Sequence, residues 1–316
     1  MPELSIITSF YNCEKYLERY FKSILSQNYK DFELILINDG STDDSNKIIN
    51  LYRNKIDNLT YISKKNTGVS DSRNIGINNA KGEYLLFLDS DDTFEPNMLS
   101  KLMKDIDNND LLIFGYNILS ESGKKVNQTN YDIEKLNKYK LYDLILNTNL
   151  KINGFCWNKI IKKECIKKKF NKEISIMEDL LFWVGNVENI KTYKIINENL
   201  YNYYIHSNSA LNSIGKVEND TSVMEASIII INKIPENYKI FYEYYYCNAY
   251  YTILSRIDDE KKIDKYKNRC HLFYKEIMKS NKISKGDKIK IFIKKNFNWL
   301  LKFYFIYKKY IKYRWW

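Results

Sequence analysis

Four apolar runs of strand length, Leu4 to Thr8, Phe32 to Ile37, Leu59 to Ser63 and Glu83 to Phe87, alternate with helical stretches, and no other feature of the chain restricts its fold as much. This alternation marks an α/β domain with a largely parallel sheet. Tyr16 to Gln27 sets Leu17, Phe21, Ile24 and Leu25 on one helical face. The second strand runs into Asn38-Asp39-Gly40-Ser41-Thr42-Asp43-Asp44, a polar turn whose Gly permits reversal and whose Ser, Thr and Asp residues cap a helix beginning near Ser45. The third leads through Asn66-Thr67-Gly68 to a helix that stops at Gly82. Ligands of open α/β sheets bind beyond the carboxyl ends of the strands, so Thr8, Asp39, Asn66 and Asp89 are expected to face one crevice.

The fourth run ends abruptly in Leu88-Asp89-Ser90-Asp91-Asp92. Three carboxylates where a buried strand meets solvent are costly unless a cation or many hydrogen bonds neutralise them. Hard oxygen ligands point to magnesium or manganese, which with few protein ligands usually share their site with phosphates. Asp and Thr also cap helices, so Asp92-Thr93 has a second reading as the start of the next helix. The other strand ends suit a nucleotide. A carboxylate such as Asp39, beside backbone amides near Thr8, can read the N–H of a uracil ring, and Tyr11 supplies an aromatic face. Arg73 complements a carbonyl or phosphate oxygen, Asp89 accepts from ribose or sugar hydroxyls, and Asp91 is the expected direct metal ligand.

Ser5-Ile6-Ile7-Thr8-Ser9-Phe10-Tyr11-Asn12, Asn38-Asp39-Gly40-Ser41-Thr42-Asp43, Asn66-Thr67-Gly68-Val69-Ser70-Asp71-Ser72-Arg73-Asn74 and Asp89-Ser90-Asp91-Asp92 resemble, in order and spacing, the successive motifs of family 2 glycosyltransferases. The resemblance covers about the first hundred residues, and a match at Glu178-Asp179 extends it to roughly residue 210. Ser9 departs from it, standing where a proline is common. The resemblance implies a GT-A, Rossmann-like fold, a UDP-sugar donor, Mn2+ or Mg2+, inversion at the anomeric carbon, and nucleotide-sugar contacts from Thr8, Tyr11, Asp39, Asn66, Arg73, Asp89 and Ser90.

Inverting transfer also needs a base for the acceptor hydroxyl. In Ile176-Met177-Glu178-Asp179-Leu180-Leu181-Phe182-Trp183 two acids open an apolar helix, where the dipole stabilises them and partial desolvation raises their pKa. Similar transferases use the Asp of such a pair as base, which implies that role for Asp179 and a positioning or acceptor-binding role for Glu178, with Glu178 as base the alternative. Gly154-Phe155-Cys156-Trp157-Asn158-Lys159 resembles the acceptor-side segment; Trp157 either stacks on a sugar or fills the core. His206 follows a strand and is either structural or, by the resemblance, within reach of metal or diphosphate.

Composition bounds the rest. Five cysteines without a Cys-x-x-Cys pair argue against a disulfide framework or zinc site and fit a reducing compartment. The N terminus lacks a basic segment followed by an apolar core, so no signal peptide is expected. After about residue 215 the strands give way to helical patterns, which places a transferase domain at 1–215 and a helical, basic and aromatic region at 216–316. Lys285 to Trp316 interleaves lysines with Ile, Phe, Leu and Trp, and the chain carries a net charge of +11. That pattern fits peripheral contact with an anionic membrane, at the cytoplasmic inner face, better than a docked terminal helix or a nucleic-acid surface. Two functions are compatible with these residues: an inverting transferase acting on a glycan or lipid-linked glycan in bacterial surface-polysaccharide (capsule or lipopolysaccharide) synthesis, and a catalytically silent sugar-nucleotide or glycan-binding subunit.

Overall fold

The computed structural model describes residues 2–146, 152–206, 217–256 and 260–297. The chain forms two compact units, Met1–Lys172 with Glu178–Ser207 and Glu173–Met177 with Asn208–Trp316. The boundary expected near residue 215 lies outside the described residues.

The first unit opens β1 (Leu4–Phe10), α1 (Glu14–Leu25), β2 (Phe32–Asn38), α2 (Ser45–Tyr52), β3 (Leu59–Ser63), α3 (Val69–Asn79) and β4 (Tyr84–Phe87). It continues with β5 (Thr93–Phe94), α4 (Met98–Ile106), β6 (Leu111–Ser120), β7 (Lys125–Gln128), α5 (Ile133–Leu136), α6 (Leu141–Leu146), β8 (Lys159–Lys162), α7 (Glu178–Asn186) and β9 (Tyr193–Ile205). Among the described residues nine strands join one sheet in the order β3-β2-β1-β4-β8-β6-β9-β5, with β7 paired to β6. The pairs β1·β2, β1·β4 and β2·β3 are parallel. Beyond β4 the sheet is mixed, because β8 enters antiparallel between β4 and β6 while β9 runs parallel to β6.

Strand periodicity explains the double-sided core. Leu4, Ile6, Leu34, Leu36, Tyr84 and Leu86 point to one face, where α1, α2 and α4 contribute Leu17, Phe21, Ile49 and Leu102. The alternate residues Ile7, Ile35, Ile37, Leu85 and Phe87 point to the other, against Ile77, Leu144, Phe182 and Trp183. With both faces covered, the strands read as continuous apolar runs, which is why they stand out in the sequence.

The second unit is helical: α8 (Val217–Ile231), α9 (Glu236–Leu254), α10 (Asp264–Lys279) and α11 (Lys285–Asn296). Tyr246, Cys247, Ile253, Cys270, Ile277 and Ile291, all fully buried, form its core. The tyrosine-rich stretch from Phe241 to Leu254 lies within the single helix α9.

Candidate active site

Because β1 to β4 are parallel, their carboxyl ends share one edge. Asp39 leaves β2 there, its N–H donating to Phe10 O at 2.9 Å. Its Oδ1 accepts from the Thr67 N–H at 2.9 Å and from Lys64 Nζ, and its Oδ2 from the Gly68 N–H at 2.9 Å. An ionised carboxylate offers about four acceptor positions, so Oδ2 retains one. Asn66 lies in the same loop and is exposed. Its backbone N sits 2.7 Å from where a Cβ on Gly40 would stand, and Gly40 has φ +79°, so the two loops meet only because that residue is glycine. Tyr11 is 50 % exposed and has a ring face to offer. The strand continues past Thr8 to Phe10, and the fully buried Thr8 hydroxyl sits 2.6 Å from the Tyr20 hydroxyl, so what this strand end has to offer is backbone amides and not the Thr8 side chain.

The acidic run divides into distinct roles. Carboxylate oxygens of Asp89, Asp91 and Asp92 lie within 4.8 Å of one another. Asp92 is buried, and each of its oxygens accepts a hydrogen bond, one from the Tyr201 hydroxyl and one from the Tyr204 N–H, each at 2.7 Å. Burial and the neighbouring carboxylates hold its pKa well above the usual range. It is followed by β5, so the helix start considered for Asp92-Thr93 is not formed. Asp89 and Asp91 stay about one-third exposed, at 33 % and 32 %. Burial, opposed by Arg73 and reinforced by Asp91, pushes Asp89 up to about 6. Asp91 Oδ2 lies 2.8 Å from His206 Nε2, and His206 Nδ1 is 3.3 Å from the Tyr16 hydroxyl. The buried Ser90 hydroxyl is 3.0 Å from Cys13 Sγ. Two crowded, partly exposed carboxylates and an imidazole at one spot are a donor set that fits a hard divalent cation.

Arg73 on α3 ties this strand end to α7. One guanidinium nitrogen donates to Asp89 Oδ1 at 3.2 Å; the other donates to Asp179 Oδ1 at 2.5 Å and to Glu178 Oε1 at 3.5 Å. Burial disfavours its charge, but Asp179 and Asp89 more than offset this and raise its pKa. Asp179 Oδ2 also accepts the Cys156 N–H at 3.0 Å. Glu178 carries the complementary signature: burial, then repulsion from Asp179, pushes it up to about 8 against the pull of Arg73. The two acids that open α7 therefore occupy different electrostatic environments, although sequence assigns both to one apolar helix start.

Of the two readings of Trp157, the structure forms the core one. Only 4 % exposed, it packs parallel to Tyr201 at 4.6 Å, Phe155 at 4.9 Å and Tyr203 at 5.6 Å, which leaves no ring face for a sugar. Phe155, half-buried on this stack, is the more accessible aromatic of the segment. Three participants gave little sequence signal. Arg19 donates to the Asp91 carbonyl and lies 3.7 Å over the Tyr204 ring, Lys64 pairs with Asp39, and Lys159 is buried against the turn at 153–158. A lysine at the head of the apolar run Lys159-Ile160-Ile161 was the one visible hint.

A sheet whose parallel strand ends gather Asp39, the acidic run and an acid pair across a buried arginine has the architecture of a GT-A glycosyltransferase fold. The sequence model described as "Glycosyl transferase family 2" matches residues 5–169, and the chain belongs to that family. It is 29% identical over 289 residues to a cholesterol galactosyltransferase of Borreliella burgdorferi, covering 84% of this chain and 81% of the relative. To the uncharacterized glycosyltransferase EpsJ of Bacillus subtilis it is 28% identical over 216 residues, 66% of this chain; the match spans 63% of that relative, less than two thirds of its length. The fold resembles that of S. aureus TarS 1-349 in complex with UDP-GlcNAc, with a TM-score of 0.62 at 22% identity over 87% of this chain and 81% of the other. It also resembles the mannosyltransferase PcManGT of Pyrobaculum calidifontis in complex with GDP-Man and Mn2+, with a TM-score of 0.54 at 11% identity over 86% and 84% of the two chains.

Proposed function

We propose that the chain is an inverting transferase that moves a hexose or N-acetylhexosamine from a UDP-sugar to a hydroxyl of a glycan or lipid-linked glycan during bacterial surface-polysaccharide synthesis. The observation that carries this reading is the Arg73 bridge, which joins the strand-end carboxylate Asp89 to the acid pair of α7 in one cluster. The UDP-GlcNAc complex of a fold neighbour supports the donor class. In this reading Asp39 reads the uracil imide, Tyr11 stacks on the ring, Asn66 and the Ser90 region border the nucleotide, and Asp89 accepts from ribose or sugar hydroxyls.

Asp91, with Asp89 and His206, would hold Mn2+ or Mg2+. Bound there, the cation supplies charge neutralisation to a departing diphosphate. Asp179 is assigned the base. Glu178, pushed to about 8, is largely protonated at neutral pH and so donates a hydrogen bond to the acceptor instead of taking its proton. Released UDP from a panel of UDP-glucose, UDP-galactose and their N-acetyl forms tests the assignment. Manganese-dependent UDP binding without turnover of any donor, with or without glycan acceptors, would favour the silent binding subunit.

The same reading puts the protein at the inner face of the cell membrane by peripheral contact. Among the described residues no helix is long and apolar enough to cross a membrane. On α11 the lysines do not all face outward as an interfacial helix would have them. Lys288 donates to Met278 O at 3.1 Å, Lys294 to Asn248 Oδ1 at 2.8 Å, and Lys295 lies 3.7 Å over Tyr274. Its outer face instead shows Ile289, Phe292, Ile293 and Phe297, between 41% and 59% exposed, flanked by the exposed Lys285 and Lys290. Apolar side chains flanked by lysines complement an anionic lipid surface. The rest of the basic-aromatic segment, 298–316, lies outside the described residues.

A further inference from the structure

Lys159, the first residue of β8, has no accessible surface and takes no part in the proposed chemistry. A buried ammonium is costly unless all three of its N–H groups find acceptors. Here they do: Nζ donates to Asn153 O at 2.9 Å, Phe155 O at 2.8 Å and Asn158 Oδ1 at 2.7 Å, and it sits 5.5 Å from the Trp183 ring. None of these partners is a carboxylate, and burial lowers its pKa to about 7. The protein therefore keeps an ionisable amine where an apolar residue would cost less to bury, and what its three contacts secure is the geometry of residues 153–158.

That turn lies directly on the start of α7. A Cβ on Gly154 would come within 2.9 Å of the Leu180 Cα, and Trp183 Nε1 donates to Phe155 O at 3.2 Å. Between the two anchored carbonyls and Asn158, the Cys156 N–H points to Asp179 Oδ2 at 3.0 Å. We infer that Lys159 is a positioning residue: by gathering the Asn153 and Phe155 carbonyls and the Asn158 side chain, it fixes the turn whose Cys156 amide orients the Asp179 carboxylate. The inference rests on Asp179 being the base.

The test is a double-mutant cycle on the full-length chain, with UDP release from the best donor of the panel as turnover and calorimetric UDP binding with Mn2+ as the site control. Lys159→Met fills the space without donors. It is expected to lower kcat roughly tenfold or more while UDP affinity and donor KM stay near wild type. Asp179→Asn is expected to lower kcat further, and adding Lys159→Met to it should cost little more, because the two act through one group. Losses that simply multiply, or a Lys159→Met enzyme of normal kcat beside an inactive Asp179→Asn enzyme, would overturn the positioning role alone. An active Asp179→Asn enzyme would overturn the base assignment and the positioning role with it. Lys159→Gln, which keeps two N–H donors, should recover part of the kcat lost in Lys159→Met. If both variants fail to melt cooperatively, the lysine serves folding and the positioning role is rejected.

Discussion

Asp89, Asp91 and Asp92 are near neighbours with three separate environments, and substitution should separate them. Asp91→Asn removes the carboxylate beside His206 and should weaken manganese-dependent UDP affinity by about tenfold or more, with the melting temperature little changed. Unaltered affinity in manganese titrations would remove Asp91 from the cation site. Glu178 gives a pH signature. Its pKa rises from 4.5 unfolded to about 8 folded, so the fold favours the protonated acid; the associated stability is complete below about pH 4.5 and is lost as pH climbs toward 8. Glu178→Gln stays neutral throughout. Its melting temperature should gain on wild type steadily between pH 5 and about pH 8, the folded pKa of the acid it replaces, and a constant offset across that range would refute the assignment.

At the scale of elements, Gly154 is where the acceptor-side turn meets α7. Gly154→Ala sets a methyl against Leu180, so the helix start must shift. Turnover should fall more than UDP affinity, measured side by side; equal losses would mean that the whole edge of the sheet had moved. The strands β1 to β4 were legible from sequence because each is a continuous apolar run, and the polar residues that follow them are conspicuous by contrast. Strand β8 was not legible. Four residues long, it takes its place between β4 and β6 from pairing with strands distant in sequence, which no local pattern encodes. Trp157 shows the same limit at a side chain: an aromatic that stacks on sugar and one that stacks on Tyr201 have identical local sequence, and only the return of β9 decides. Thr8 was placed two residues early because the β1 run was read as ending where its aliphatic residues end, while Phe10 still pairs with Asn38.

For the whole molecule, the outer face of α11 carries the prediction. Ile289→Ser with Phe292→Ser removes exposed apolar surface without touching the buried Ile291, so the melting temperature should hold while flotation with anionic vesicles falls. Salt should weaken the wild-type interaction in part, since the lysine contribution is screened beyond about 8 Å at physiological ionic strength and the apolar part is not. Neutral vesicles that bind as well as anionic ones, or a double variant that floats like wild type, would rule out this face as the contact. Ile291→Ala provides the contrast, a cavity in the second unit costing about 2–5 kcal/mol on unfolding and leaving the exposed residues of α11 intact.

The engagement of Asp92 bears on how any collection of variants of this enzyme is interpreted. It stands in the acidic run and lies within 4.8 Å of the proposed cation ligands, and a variant that loses it is expected to lose activity. Yet it is buried, and both its oxygens tie β9 to the end of β4, so the part expected of it is structural. A saturation scan scored on product alone would rank it beside Asp91 and miscount the metal ligands. Scored together with soluble yield, the two part company: Asp91 variants accumulate as folded, inactive protein, and Asp92 variants disappear from the soluble fraction.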